Sequence, residues 1–186
     1  DEIQTDIQSG DLFEIGLHRL LCGDSTDKEQ VARLMNGEKA DMVFTDPPYG
    51  MSLDTDWDQS KISHEKNGKE WRGKKKNYKQ VIGDHDDFKE SLVTSILELE
   101  TDEMFIWGAD YFSEMLPNKN NGSWVVWDKR EGSLDKVMGS MFELCWSRKK
   151  HKRDIARIKW CGLFGTVKEH DKKRVHPTQK PTALAE

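Results

Sequence analysis

Short apolar runs recur along this chain, separated for the most part by segments of helix length. They read HRLLC (18–22), DMVFTD (41–46), EMFIWG (103–108), SWVVWD (123–128) and FELCWS (142–147). Each has the length of a strand, and DMVFTD has the continuous apolar character of a strand covered on both faces. Between the first two, Thr26-Asp27-Lys28-Glu29 forms a capping-box pattern, with Thr26 as N-cap and Glu29 three residues on. Val31, Leu34 and Met35 follow at helical spacing, and Gly37 is the natural stop. Phe88, Leu92, Ile96 and Leu99 repeat that spacing, Phe112, Met115 and Leu116 make a short helix ended by Pro117, and a further helix is expected to start across 182–186. Strands alternating with helices specify an α/β domain with a mainly parallel sheet. Residues 1–16 read as a linker and 17–186 as the domain itself.

At 186 residues the chain can bury a real core. No apolar run approaches the ~18 residues of a membrane span. The acidic, polar start is unlike a secretory signal. Cys22, Cys145 and Cys161 are scattered without a Cys-x-x-Cys pair, which points to a reducing cytoplasm and structural thiols rather than disulfides or a zinc site. The net charge of −5 is unevenly spread. Residues 61–80 carry +6 and residues 148–174 carry +8, leaving −19 on the remainder. Two basic segments on an acidic chain suit a polyanion, and Trp71, Tyr78 and Trp160 lie among the charges as rings for bases. Lys74, Lys75 and Lys76 in the first segment, and Lys149, Lys150 and Lys152 in the second, are the candidate phosphate contacts. Residues 51–80 have little periodicity and read as a long mobile loop of the kind that forms lids and binding loops.

The run at 41–46 leads into Asp46-Pro47-Pro48-Tyr49-Gly50. In α/β sheets, ligands bind beyond the carboxyl ends of the strands, and Asp46 is expected there. The lone pair of a nucleobase amine is delocalised into the ring, which makes the amine a poor nucleophile. A carboxylate accepting one N–H, with a backbone carbonyl accepting the other, frees that pair. Pro47 has a fixed φ and no N–H to compete. Tyr49 offers a flat face for an extruded base, and Gly50 lets the chain turn sharply. Together they form a holder for a flat, amine-bearing ring.

Asp46-Pro47-Pro48-Tyr49 resembles the catalytic motif of amino-group DNA methyltransferases, which methylate adenine N6 or cytosine N4 from S-adenosylmethionine. With GDLFEIGLHRLLCGDSTD ahead of it and HPTQKP (176–181) behind it, the chain is similar to the permuted β-type branch, and within that to phage and prophage enzymes often joined to a ParB-like domain. The resemblance spans roughly residues 10–186. It implies a Rossmann-like methyltransferase sheet and double-stranded DNA as partner, with Asp46, Pro47, Pro48 and Tyr49 as the catalytic and target-base site. It further implies Asp24 near the cofactor's adenosine, with His176, Thr178 and Lys180, alongside Asp46, toward its methionine end. The reaction would be direct in-line transfer with no covalent enzyme intermediate, the catalysis coming from positioning and electrostatics. Trp107, Trp124, Trp127 and Trp146 fall in strands and are expected in the core.

One part of the family pattern is missing. Members continue past HPTQKP into a strand and a glycine-rich turn that holds the cofactor, but none of the fourteen glycines forms a G-x-G. The resemblance places the two strands that would follow between the Leu20 strand and the Val43 strand, so the sheet is expected to be incomplete and residues 1–186 to bind S-adenosylmethionine weakly alone. A complementing segment or second chain is then an implied partner. The alternative reading is a split or inactive methyltransferase that binds nucleic acid or a protein, and a third is a related enzyme acting on RNA or protein.

Overall fold

The structure, a computed structural model, describes residues 5–52, 63–66, 69–72, 81–84, 86–117, 121–130, 140–160 and 178–185. Its centre is a five-stranded sheet built from β3 (Met42–Thr45), β6 (Glu103–Trp107), β7 (Ser123–Asp128), β8 (Phe142–Ser147) and β9 (Asp154–Arg157), in the order β3-β6-β8-β7-β9. β3 pairs parallel with β6, and β7 parallel with β9. β8 runs antiparallel to both of its neighbours. Four strands therefore share one direction and β8 alone is reversed, so the domain is α/β with a mixed sheet. The expectation of a mainly parallel sheet holds for strand direction, but the reversed strand sits centrally and makes two of the four ladders antiparallel.

Alternation along each strand sends side chains to two faces. On one face Met104, Ile106 and Trp146 pack against Leu92, Val93 and Ile96 of α2 (Asp86–Leu97) and against Ala109, Phe112 and Leu116. On the other, Trp107, Trp127 and Cys145 enclose Trp160, with Phe105, Val125 and Ile158 around them. The strand tryptophans are core, as their sequence positions imply. Trp160 differs from its expected role as a base platform. It is buried, and its Nε1–H donates to the Gln179 carbonyl at 2.7 Å. An apolar ring flanked by charges in sequence found the sheet, because its body gains more from burial than from exposure.

Three local elements depart from expectation. Leu12–Ile15, inside the stretch read as linker, is β1, and it pairs antiparallel with β2 (His18–Leu21) across a two-residue turn opened by Gly16 at φ 62. The N-cap of α1 (Lys28–Met35) is Asp27, not Thr26. Its carboxylate accepts the N–H groups of Glu29 and Gln30, while the Thr26 hydroxyl and N–H both bond Asp24 Oδ1. A shorter, charged acceptor one position later outcompetes the hydroxyl. Within the expected 51–80 loop, β4 (Ser63–Lys66) and β5 (Lys69–Arg72) form an antiparallel hairpin. The segments at 109–115 and 182–184 are 3₁₀ helices. No helix among the described residues is long and apolar enough to cross a membrane.

Arg148, the first residue of the second basic segment, has a structural task. Its guanidinium donates to the carbonyls of Leu97 (2.9 Å), Thr101 (3.1 Å) and Leu99 (3.3 Å), closing the C-terminal end of α2. A planar fork spreads its donors over two terminal nitrogens in a fixed geometry, which a single ammonium nitrogen cannot reproduce. Arg148→Met is therefore expected to destabilise the fold by ~2–3 kcal/mol, and Arg148→Lys to recover less than half of that, as read from urea denaturation midpoints.

Candidate active site

β3 delivers its last residue, Thr45, to the carboxyl end of the sheet, and Asp46 to Gly50 turn away there. Gly50 sits at φ 70, a conformation glycine adopts without strain. The turn is fastened beyond it, because the Met51 N–H donates to Asp84 Oδ1 at 2.9 Å and the Ser52 N–H to the Asp84 carbonyl at 3.0 Å. Pro47 is buried and has no N–H to leave unpaired.

Tyr49 is held on three sides. Its ring stacks on Tyr111, with centroids 4.9 Å apart and planes 12° from parallel. The ring also lies against Gly108, which follows β6 at φ 65, where an added Cβ would stand 2.0 Å from Tyr49 Cε1 and 2.3 Å from Cζ. Its hydroxyl donates to Asp46 Oδ1 at 2.7 Å and accepts from Lys180 Nζ at 3.0 Å. Burial, reinforced by the negative charges of Asp46 and Glu143, pushes the phenol well above its ordinary range, so Tyr49 is a fixed donor and not a base.

Lys180 reaches this point from the far end of the chain. Its Nζ stands 2.6 Å from Asp46 Oδ1 and 3.1 Å from Glu143 Oε2, the second an ion-pair contact rather than a directed hydrogen bond. Glu143, near the start of β8, also takes the ammonium of Lys129 from the end of β7 on its Oε1. Burial works to raise the Glu143 carboxyl, but the two lysines outweigh it and hold the group below the usual range. Two carboxylates and two ammoniums thus balance at the mouth of the sheet. Among the described residues Asp46 Oδ2 takes no hydrogen bond, and Asp46 lines a cavity of about 360 Å³.

That cavity is lined by Asp46, Pro47, Pro48, Tyr49, Met51, Val81, Asp84, Thr178, Gln179 and Lys180. Six residues singled out in the sequence, Asp46 to Tyr49 with Thr178 and Lys180, meet in it. Asp24 is not in its lining and instead braces the start of α1. Lys149, Lys150 and Lys152 are exposed but lie past the end of β8, and because β8 is reversed that end is opposite Asp46. There the Lys149 N–H donates to Glu103 Oε1 at 3.0 Å, and His151 Nε2 stands 2.5 Å from Glu103 Oε2. Lys74, Lys75, Lys76, His176 and Cys161 lie outside the described residues. Burial pushes the Cys145 thiol up to about 12, so it is no nucleophile at neutral pH.

Sequence reading missed Glu143, Lys129, Tyr111, Gly108 and Asp84. One signal was available for the first. A glutamate inside the apolar run FELCWS must be paired if the run is buried, and a lysine follows the neighbouring run SWVVWD. No family model matches the chain, and neither a curated protein nor a solved structure matches it.

Proposed function

We propose that the chain is the catalytic portion of an amino-group DNA methyltransferase, acting from S-adenosylmethionine on adenine N6 of an extruded base, with cytosine N4 as the second choice. The observation that carries this reading is convergence. Tyr49 and Lys180, 131 residues apart and drawn from the two segments that resemble the base site and the cofactor's methionine end, are bonded at 3.0 Å in one cavity. The cavity lies at the carboxyl end of β3, where α/β folds take ligands. Four strands sharing one direction, with an outer edge of β3 that is unpaired among the described residues, also fit a Rossmann-like sheet with further strands beyond β3.

In this reading Asp46 accepts an N–H of the target amine on its free oxygen. The target base would stack on the part of the Tyr49 ring that Tyr111 and Gly108 leave open. S-adenosylmethionine, when bound, supplies an electrophilic methyl on a sulfonium, and the acceptor-rich mouth formed by Asp46 and the Tyr49 ring suits a cation there. Asp46 would receive the proton that the amine sheds on methylation and pass it to solvent. Thr178 and Lys180 line the side of the cavity that the resemblance gives to the methionine end.

The test is transfer of a labelled methyl group to duplex DNA, with the product nucleoside identified by mass spectrometry. Neither N6-methyladenine nor N4-methylcytosine from folded protein at saturating cofactor would overturn the assignment. The second reading is a split or non-catalytic module that binds nucleic acid or a protein and transfers nothing. The same assay, run beside a DNA-binding titration, separates the two.

Lys149, Lys150 and Lys152 lie at the end of the sheet opposite the cavity, so neutralising all three should leave the salt dependence of DNA affinity within about one unit of slope. Three lysines that touch phosphate would instead flatten it by ~2–3 units. A fluorescence-anisotropy salt titration decides between these outcomes.

A further inference from the structure

Glu143 belongs to the charge cluster of the cavity without lining the cavity itself. It touches Lys129 with one oxygen and Lys180 with the other, and its side chain is 21% exposed. Lys180 is therefore shared. Its ammonium lies between Asp46 Oδ1 at 2.6 Å and Glu143 Oε2 at 3.1 Å, and its remaining neighbour is the Tyr49 hydroxyl. An ammonium has three protons and needs three acceptors. If Glu143 were absent, the full demand of a charge only 14% exposed would fall on Asp46 and Tyr49.

That matters because Asp46 must take a substrate N–H on Oδ2, and the Lys180 ammonium on Oδ1 draws off part of the charge that makes Oδ2 an acceptor. A neutral aromatic amine is a far weaker partner for a carboxylate than an ammonium is. It bonds Oδ2 more strongly when the ammonium is shared with a second anion. We propose that Glu143 is a positioning residue, sharing the Lys180 ammonium with Asp46 so that the carboxylate keeps enough charge for an amine-bearing nucleobase to bond its Oδ2. Lys129 sets how strongly it does so, by claiming the other Glu143 oxygen. This rests on the methyltransferase reading for the identity of the ligand, but the coupling of Glu143 to Tyr49 through Lys180 stands on the geometry alone.

The experiment reads both parts on the whole chain. Tyrosine rings are labelled with carbon-13, and with three tyrosines present the Tyr49 signals are readily assigned. Glu143→Gln is expected to shift them, and the same change in a Lys180→Met background to add nothing, the mark of an effect transmitted wholly through Lys180. In parallel, 2′-deoxyadenosine is titrated against inosine, which lacks the exocyclic amine. Glu143→Gln should weaken deoxyadenosine about 10-fold, within the usual range of coupling between neighbouring charges, and by less than about twofold once Lys180 is methionine. Lys129→Met guards against a poorly folded Gln variant, and should move the Tyr49 signals the other way and tighten deoxyadenosine. Equal shifts from Glu143→Gln in both backgrounds, or no shift, would overturn the proposal. Signals that move as expected in a protein binding deoxyadenosine no better than inosine would overturn the ligand half, together with the reading it rests on.

Discussion

For the proposed methyl-transfer reaction, Asp46→Ala is expected to lower transfer at least ~100-fold and to leave duplex affinity within about twofold. The magnitude is that of losing one preorganised electrostatic partner. Among the described residues, Asp46 and Asp84 are the acidic side chains that line the cavity, and oxygens of Asp84 hold the Met51 and Ser52 N–H groups. Removal of the Asp46 carboxylate also strips the Tyr49 hydroxyl of its acceptor and leaves Glu143 as the charged partner of Lys180 among the described residues. Asp46→Asn separates these effects. The amide still accepts from Tyr49 but carries no charge to take the amine's proton, so it should restore the position of the ring and not the rate. Single-turnover transfer is the measurement, since it isolates the chemical step from product release. An Asp46→Ala rate within tenfold of wild type would remove Asp46 from the reaction.

Gly108→Ala costs about 3–4 kcal/mol of stability and dismantles the site from behind. Two separate penalties add. The residue sits at φ 65, where an L side chain is strained by ~1–2 kcal/mol. The new methyl would also stand 2.0 Å from the Tyr49 ring, an overlap that must be relieved at a typical ~1–3 kcal/mol. The backbone cannot easily give way, because the Gly108 N–H donates to the Leu144 carbonyl at 2.8 Å and its own carbonyl accepts from Tyr111. Tyr49 must then leave its stack on Tyr111 and its bonds to Asp46 and Lys180. Adding Tyr49→Ser to Gly108→Ala should return most of the overlap cost and leave only the backbone strain. Denaturation midpoints of the single and double variants check both statements. A loss below ~1 kcal/mol in Gly108→Ala would mean that the ring can move freely, and that Gly108 is not its seat.

Much of this arrangement was legible residue by residue. The strands could be placed because runs such as EMFIWG and SWVVWD are apolar over strand length and bounded by glycine, acid or a change of period. Asp46 to Tyr49 could be singled out because each residue type there has a separate chemical use, and the structure sets all four in the lining of one cavity with Thr178 and Lys180. The N-cap of α1 was off by one position, because Asp24 competes for Thr26 through a local turn that the capping pattern does not weigh.

What the linear chain could not express is direction and partnership. The sequence alone determined the α/β class, the positions of β2, β3, β6, β7 and β8 and the chemical character of the Asp46–Tyr49 turn, since these follow from local periodicity and residue type. Only the tertiary structure decided that β8 runs against its neighbours. That reversal brings Glu143 to the mouth of the site and carries Lys149, Lys150 and Lys152 to the opposite end. Strand direction is set by how connections close over the whole sheet, and no window of residues contains it. The pairings of Glu143 with Lys129 and Lys180, and of Tyr49 with Gly108 and Tyr111, arise the same way. Each joins groups far apart in the chain whose interaction becomes favourable only once the sheet has excluded water around them.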